Sequence, residues 1–201
     1  MVLPVGAMVA WLAQLPNHSE PVAGTATPPH GGKVWHSALA WQITLFLGLN
    51  STIYYVAVGW LPSILTDAGI SSAQAGSLHG IMQLATAIPG LLLSPVLKRM
   101  KDQRLVAAGV STFSAVALAG FWAAPQYAFV WAFLFGIGTG AGIILGLAFI
   151  GLRTGNARQA AALSGMAQSM GYLLASFGPV AIGALHDFCD SWSLPLLLCA
   201  G

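Results

Sequence analysis

The sequence predicts an all-α membrane protein with five complete transmembrane spans plus two partial ones. Three observations point there. Charged residues are 6% of the 201-residue chain and apolar residues 57%, at a mean hydropathy of +0.78; a soluble domain carries about 25% charged residues to keep its surface wet. The charges are also confined. Between the loops that hold them run stretches free of Lys, Arg, Asp and Glu, long enough as helix to cross a hydrocarbon core about 30 Å thick. Finally, the seven basic residues all fall in loops on one side of the stack: Lys33 in the first, Lys98, Arg99, Lys101 and Arg104 in the second, Arg153 and Arg158 in the third. The turns near Asp67, Pro125 and Asp187 hold none. The positive-inside rule makes the basic loops cytoplasmic.

Each element can be justified in chain order. Residues 1–15 are apolar but short for a span. No basic residue precedes their apolar run, which argues against a signal peptide, so they read as the end of a preceding membrane helix. Residues 16–39, rich in Pro, Gly, Thr and His, read as a cytoplasmic linker. Its histidines, His18, His30 and His36, match no metal-ligand spacing and have no cysteine beside them, so a solvated linker is favoured over a metal site.

The first complete span covers about residues 40–65, with Trp41 and Trp60 near its ends, where amphipathic rings prefer the interface. Pro62 and Asp67–Ala68–Gly69 are expected to end it. The second span, about residues 74–97, takes Ser71 or Ser72 as its N-cap and carries an expected kink at Pro89–Gly90. The third covers about 105–122 and turns at Pro125; the fourth covers about 128–152 and the fifth about 160–185. His186, Asp187, Asp190 and Trp192 are expected to form a short outer loop before a truncated last helix from residue 193. The chain therefore reads as a fragment of a larger membrane protein. Cys189 and Cys199 do not read as a disulfide framework.

The apolar run Gly136–Ile–Gly138–Thr–Gly140–Ala–Gly142 superficially matches a dinucleotide loop. No strand precedes it and no acidic residue follows at ribose distance, so close helix packing is the better reading. Gly178–Pro179 in the fifth span implies a bend or tight packing, with a hinge for conformational change as the alternative. Polar residues inside the spans carry more information, because each needs a partner away from lipid. Asn50 and Tyr54, His79 and Gln83, and Gln168 and Tyr172 each stand four residues apart, so each pair shares a helix face. Three such pairs suggest a polar cavity more than helix-to-helix glue. Tyr55 lies about 100° from Tyr54 around the helix, so the two are not expected to face one cavity squarely.

His79 is the strongly titratable side chain inside a span, able to donate and accept hydrogen bonds or to couple to protons. No Asp, Glu, Lys or Arg lies within the spans. Nothing supports catalysis: metalloprotease, nucleophile-elbow and phosphate-loop motifs are all missing. No cofactor is implied, and a pI of about 8.7 makes no case for nucleic acid, which would need basic residues gathered on one face of a soluble fold.

The pattern resembles the second half of a major facilitator superfamily transporter, closest to the cyanate/2-nitroimidazole transporter family of bacterial inner membranes. The resemblance rests on Trp41 through Asn50, Tyr54–Tyr55, Trp60 through Asp67, Gln74 through His79, Met82–Gln83, Gly178–Pro179 and Leu185–His186–Asp187. It implies a twelve-helix protein in two six-helix halves, with residues 40–201 forming the C-terminal transmembrane bundle. The N-terminal half would then be a missing partner, beside the lipid bilayer and a small-molecule solute. The loop at Lys98–Arg104 keeps the superfamily's mixed-charge pattern only loosely.

The resulting expectation is a secondary transporter for a small polar or weakly anionic solute, cyanate-like or nitroimidazole-like, working by alternating access. Its binding site is expected to use Asn50, Tyr54, His79, Gln83, Gln168 and Tyr172. The rival reading is a non-transporting membrane receptor or scaffold whose polar pairs only glue helices together. An intramembrane enzyme built on His79 would need a carboxylate or metal partner that the chain does not show.

Overall fold

The computed structural model describes residues 34–97 and 104–200. Ser37 starts the first helix by accepting a hydrogen bond from Ala40 N at 3.4 Å, and α1 then runs Ala38–Asp67. Ser71 caps α2 (Ser72–Leu97): its Oγ accepts from Gln74 N at 3.4 Å and donates to Gln74 Oε1 at 3.1 Å. Helix α3 (Arg104–Ala123) leads through a 3-10 turn at Pro125–Tyr127 into α4 (Ala128–Leu152). Asn156 Oδ1 accepts from Gln159 N at 2.9 Å to open α5 (Ala157–Cys189), and α6 covers Ser193–Ala200. The described residues include 5 helices long and apolar enough to cross a membrane.

Several boundaries differ from the sequence expectation. Pro62 lies inside α1 instead of ending it. Leu61, Ile64 and Leu65 on either side are all buried, and that packing outweighs the hydrogen bond a proline removes. The helix stops at Asp67, where Gly69 adopts φ +87. The fifth helix continues past residue 185 to Cys189, so His186 and Asp187 are helical and the loop expected there is reduced to residues 190–192. Asp190, in the left-handed region at φ 50, terminates it. Arg104 and Arg158 stand in the first turns of α3 and α5 rather than in loops. The linker expected through residue 39 gives way to helix at Ala38. The segment expected to end a preceding helix, most of the linker with His18 and His30, and Lys98, Arg99, Lys101 and Asp102 lie outside the described residues. Cys189 and Cys199 are free thiols.

Helix α1 packs chiefly on α5, and α2 and α3 pack on α4, while α1 and α4 cross each other at the centre. Glycine makes these crossings close. A Cβ on Gly48 would come within 3.0 Å of Gly171 Cα in α5; Cβ atoms on Gly136 and Gly140 would meet the carbonyl oxygens of Met82 and Thr86 in α2. The glycine run in α4 is thus a packing surface. One buried cluster joins Leu61, Leu65, Met82, Phe121, Phe135 and Trp192 toward one end of the bundle, and another joins Ile43, Leu47, Ile150 and Leu163 toward the opposite end. Arg153 and Arg158 stand at the second of these ends, Asp67, Asp187 and Asp190 at the first.

Candidate functional site

Each side of α1 is committed to a different neighbour, and this fixes where its polar residues go. Ala57, Leu61 and Ile64 join the cluster that includes Leu196 of α6. Gly48 and Thr52 meet Gly171 and Gly178 of α5. Asn50 meets α4: its Nδ2 donates to the backbone oxygen of Thr139 at 3.1 Å, and its amide lies where a Cβ on Gly142 would stand. Tyr54 turns toward α2, donating from Oη to Gln83 Oε1 at 3.0 Å. The side of α1 left open lies between α2 and α5, and there Tyr55 projects.

The rings on this open side form a row. Tyr54 and Tyr55 meet edge to face with centroids 5.4 Å apart, and Tyr55 meets Tyr172 of α5 in the same way at 6.4 Å. Tyr55 and Tyr172 are 42% and 51% exposed. The row is therefore an open wall and not an enclosed pocket. Clefts of about 280 Å³ beside Phe46, Phe149 and Arg153, and about 320 Å³ beside Gln74, Ser77 and Gln126, lie at the two ends of the bundle and include none of these tyrosines.

The six residues singled out from the sequence thus fall into distinct environments. Tyr54 and Gln83 are joined directly, and Tyr172 is joined to them through Tyr55. His79 lies one turn before Gln83 on α2, half-buried, with no hydrogen bond to any described residue. Gln168 donates from Nε2 to Ser164 Oγ on its own helix at 2.6 Å, one turn from Tyr172. Asn50 is 8% exposed and faces α4. Tyr55 is the residue sequence reasoning set aside. A 100° step separates the two tyrosines at the backbone, yet a ring reaching several ångströms from the axis brings its edge onto its neighbour's face. The available signal was the spacing of Gly48, Ser51 and Tyr55, which share one face of α1, with Gly48 already committed to close contact.

No Lys, Arg, Asp or Glu belongs to this wall. Its hydrogen-bonding groups are phenol, amide and imidazole, and its flat surfaces are aromatic. Such a surface offers ring contact and a few hydrogen bonds, chemistry suited to a neutral or weakly charged planar molecule.

Comparison with known proteins agrees with this architecture. Residues 2–201 match the model of the Major Facilitator Superfamily. The chain is 53% identical over 197 residues to a 2-nitroimidazole transporter of Escherichia coli (strain K12), covering 98% of this chain and 50% of that protein. It is 40% identical over 195 residues to an uncharacterized transporter of Bacillus subtilis (strain 168), covering 96% of the chain and 48% of the relative. A cyanate transport protein of Escherichia coli (strain K12) is 27% identical over 189 residues, 94% of the chain and 48% of the relative. The chain therefore spans about half the length of these relatives.

Proposed function

The chain belongs to the Major Facilitator Superfamily, and from that premise we propose that it forms one half of a secondary transporter for a small planar polar or weakly anionic solute. Alternating access carries the solute across a bacterial inner membrane, with Arg153 and Arg158 on the cytoplasmic side. The observation that carries this reading is the Tyr54–Tyr55–Tyr172 row with Gln83 hydrogen-bonded to its end.

2-Nitroimidazole, the solute named for one relative, is a flat ring carrying an N–H donor, a ring-nitrogen acceptor and nitro oxygens. A flat ring fits an aromatic wall, and His79, Gln83 and the tyrosine hydroxyls offer both donors and acceptors. Cyanate is also small and weakly basic, but offers no ring for the tyrosines to meet. The planar heterocycle is therefore the favoured solute class. Asn50 and Gln168 take a supporting part, holding α1 on α4 and ordering the face of α5 behind Tyr172.

In the full transporter, further helices of the same protein close the open wall from the other side. Proteoliposomes containing the full transporter test this: they are expected to accumulate 2-nitroimidazole saturably, and unlabelled solute to compete. Liposomes that bind the compound yet show no flux would reject transport and leave the receptor or scaffold reading.

A further inference from the structure

Gly178–Pro179 lies inside the continuous helix α5 and invites a hinge, but its surroundings do not leave it free. Pro179 has no N–H, so α5 loses the hydrogen bond that would reach back one turn. On the outer side of that gap, Trp60 of α1 donates from Nε1 to the Pro179 carbonyl at 2.8 Å. The helices touch on both sides of the proline. A Cβ on Gly178 would fall 2.6 Å from Thr52 Cγ2, and one on Gly183 would fall 2.5 Å from the Trp60 ring.

Trp60 is itself held. Its ring meets Trp192 of α6 at 5.5 Å, and Trp192 donates from Nε1 to Asp67 Oδ2, at the end of α1, at 2.7 Å. The His186 imidazole from α5 stacks on the same Trp192 ring at 4.0 Å, with Nε2 3.8 Å from Asp67 Oδ2. Three helix ends thus meet in one connected set of rings and hydrogen bonds. A hinge needs residues that can change conformation at little cost; here each change would break several contacts.

We propose that this set is an outer clasp, which holds α5 against α1 at Pro179 and makes the outer parts of α1, α5 and α6 move as one piece during transport. The moving joints of this half then lie elsewhere. The clasp follows from contacts among these helices and does not depend on which solute is carried.

A cross-link tests it. A Cβ built on Gly59 lies 3.9 Å from Pro179 Cβ, within the range of about 3.5–4.5 Å that a disulfide spans. In the full transporter with Cys189→Ser and Cys199→Ser, the pair Gly59→Cys/Pro179→Cys is expected to oxidise readily. Oxidised and reduced protein should then take up 2-nitroimidazole at rates within about twofold of each other. Failure to oxidise, or a fall in uptake to less than about a tenth that reductant restores, would overturn the clasp. If even the reduced protein takes up no 2-nitroimidazole, that result counts against the solute assignment, and a second measurement decides the clasp. Spin labels at Ala68→Cys and Phe188→Cys should give one narrow distance, with and without solute, that broadens when Trp60→Phe removes the indole donor. Equal widths in the two proteins would overturn it as well.

Discussion

Replacing Tyr55 by alanine removes the middle ring of the row and leaves its neighbours in place. Tyr55 touches Tyr54 at 5.4 Å and Tyr172 at 6.4 Å. An aromatic pair contributes about 0.5–1.5 kcal/mol beyond its buried area, so two full pairs would set an upper bound of about 3 kcal/mol. Tyr55 is 42% exposed, and solvation of the free ring edges brings the expected loss nearer to about 1–1.5 kcal/mol. A solute ring resting on the wall loses its platform by a similar amount. The half-saturation concentration for 2-nitroimidazole should therefore rise about five- to twelvefold, since about 1.4 kcal/mol is a factor of ten.

The assay is initial-rate uptake into proteoliposomes over a range of solute concentrations. Two substitutions separate ring from hydroxyl. Tyr55 Oη makes no hydrogen bond to a described residue, so Tyr55→Phe should behave as the parent, whereas Tyr55→Leu should lose about as much as alanine. A half-saturation value within about twofold of the parent for Tyr55→Ala would refute the platform. A Tyr55→Phe defect as large as that of alanine would show instead that the hydroxyl carries recognition.

Other consequences follow from the packing. Gly140→Ala places a methyl group against the Thr86 backbone, which cannot rotate away, and should destabilise the bundle by about 1–3 kcal/mol; Gly80→Ala, with open space around it, should change thermal stability in detergent by less than about 0.5 kcal/mol. Equal melting temperatures for the two variants would count against the described α2–α4 contact. Asn50→Ala removes the Thr139 hydrogen bond and should lower stability by about 0.6–1.7 kcal/mol, the range for polar contacts between membrane helices. Its effect on half-saturation should be smaller than that of Tyr55→Ala, and the reverse order would place the Asn50 amide in contact with solute. For sidedness, a thiol at Arg153→Cys should resist an impermeant reagent added to intact cells while one at Ala68→Cys reacts; the opposite pattern would invert the orientation.

Much of the fold was legible because membrane helices announce themselves by length and by the exclusion of charge. What the sequence concealed lies in tertiary contacts. Pro62 reads as a stop, yet the buried Leu61, Ile64 and Leu65 around it keep α1 helical. His186 and Asp187 read as loop because they are polar, yet α5 continues through both to Cys189, with the His186 ring stacked on Trp192. The polar pairs were visible as faces of single helices. Which neighbour each face meets was not, because a one-helix projection gives direction around an axis and says nothing of what stands there. Asn50 and Tyr54 share a face by spacing, but one reaches α4 and the other α2.

Tyr55 shows why that distinction matters for recognition. In lipid, a polar group placed for solute must still be satisfied when the solute has left, or the empty state is penalised. Tyr54 and Gln83 meet this requirement by bonding to each other at 3.0 Å. A solute that takes over one side of that bond exchanges one partner for another, and gains little net energy from the hydrogen bond itself. On the proposed reading, selectivity for planar solutes comes mainly from surfaces with no competing partner in the empty state. On this wall those include the faces of Tyr55 and Tyr172, half exposed and already held edge to face. Preorganised rings lose little conformational freedom when a flat solute settles on them, so the gain appears as affinity. Charge plays no part in that gain, which is why a wall without Lys or Arg suits a neutral heterocycle better than a strongly anionic solute.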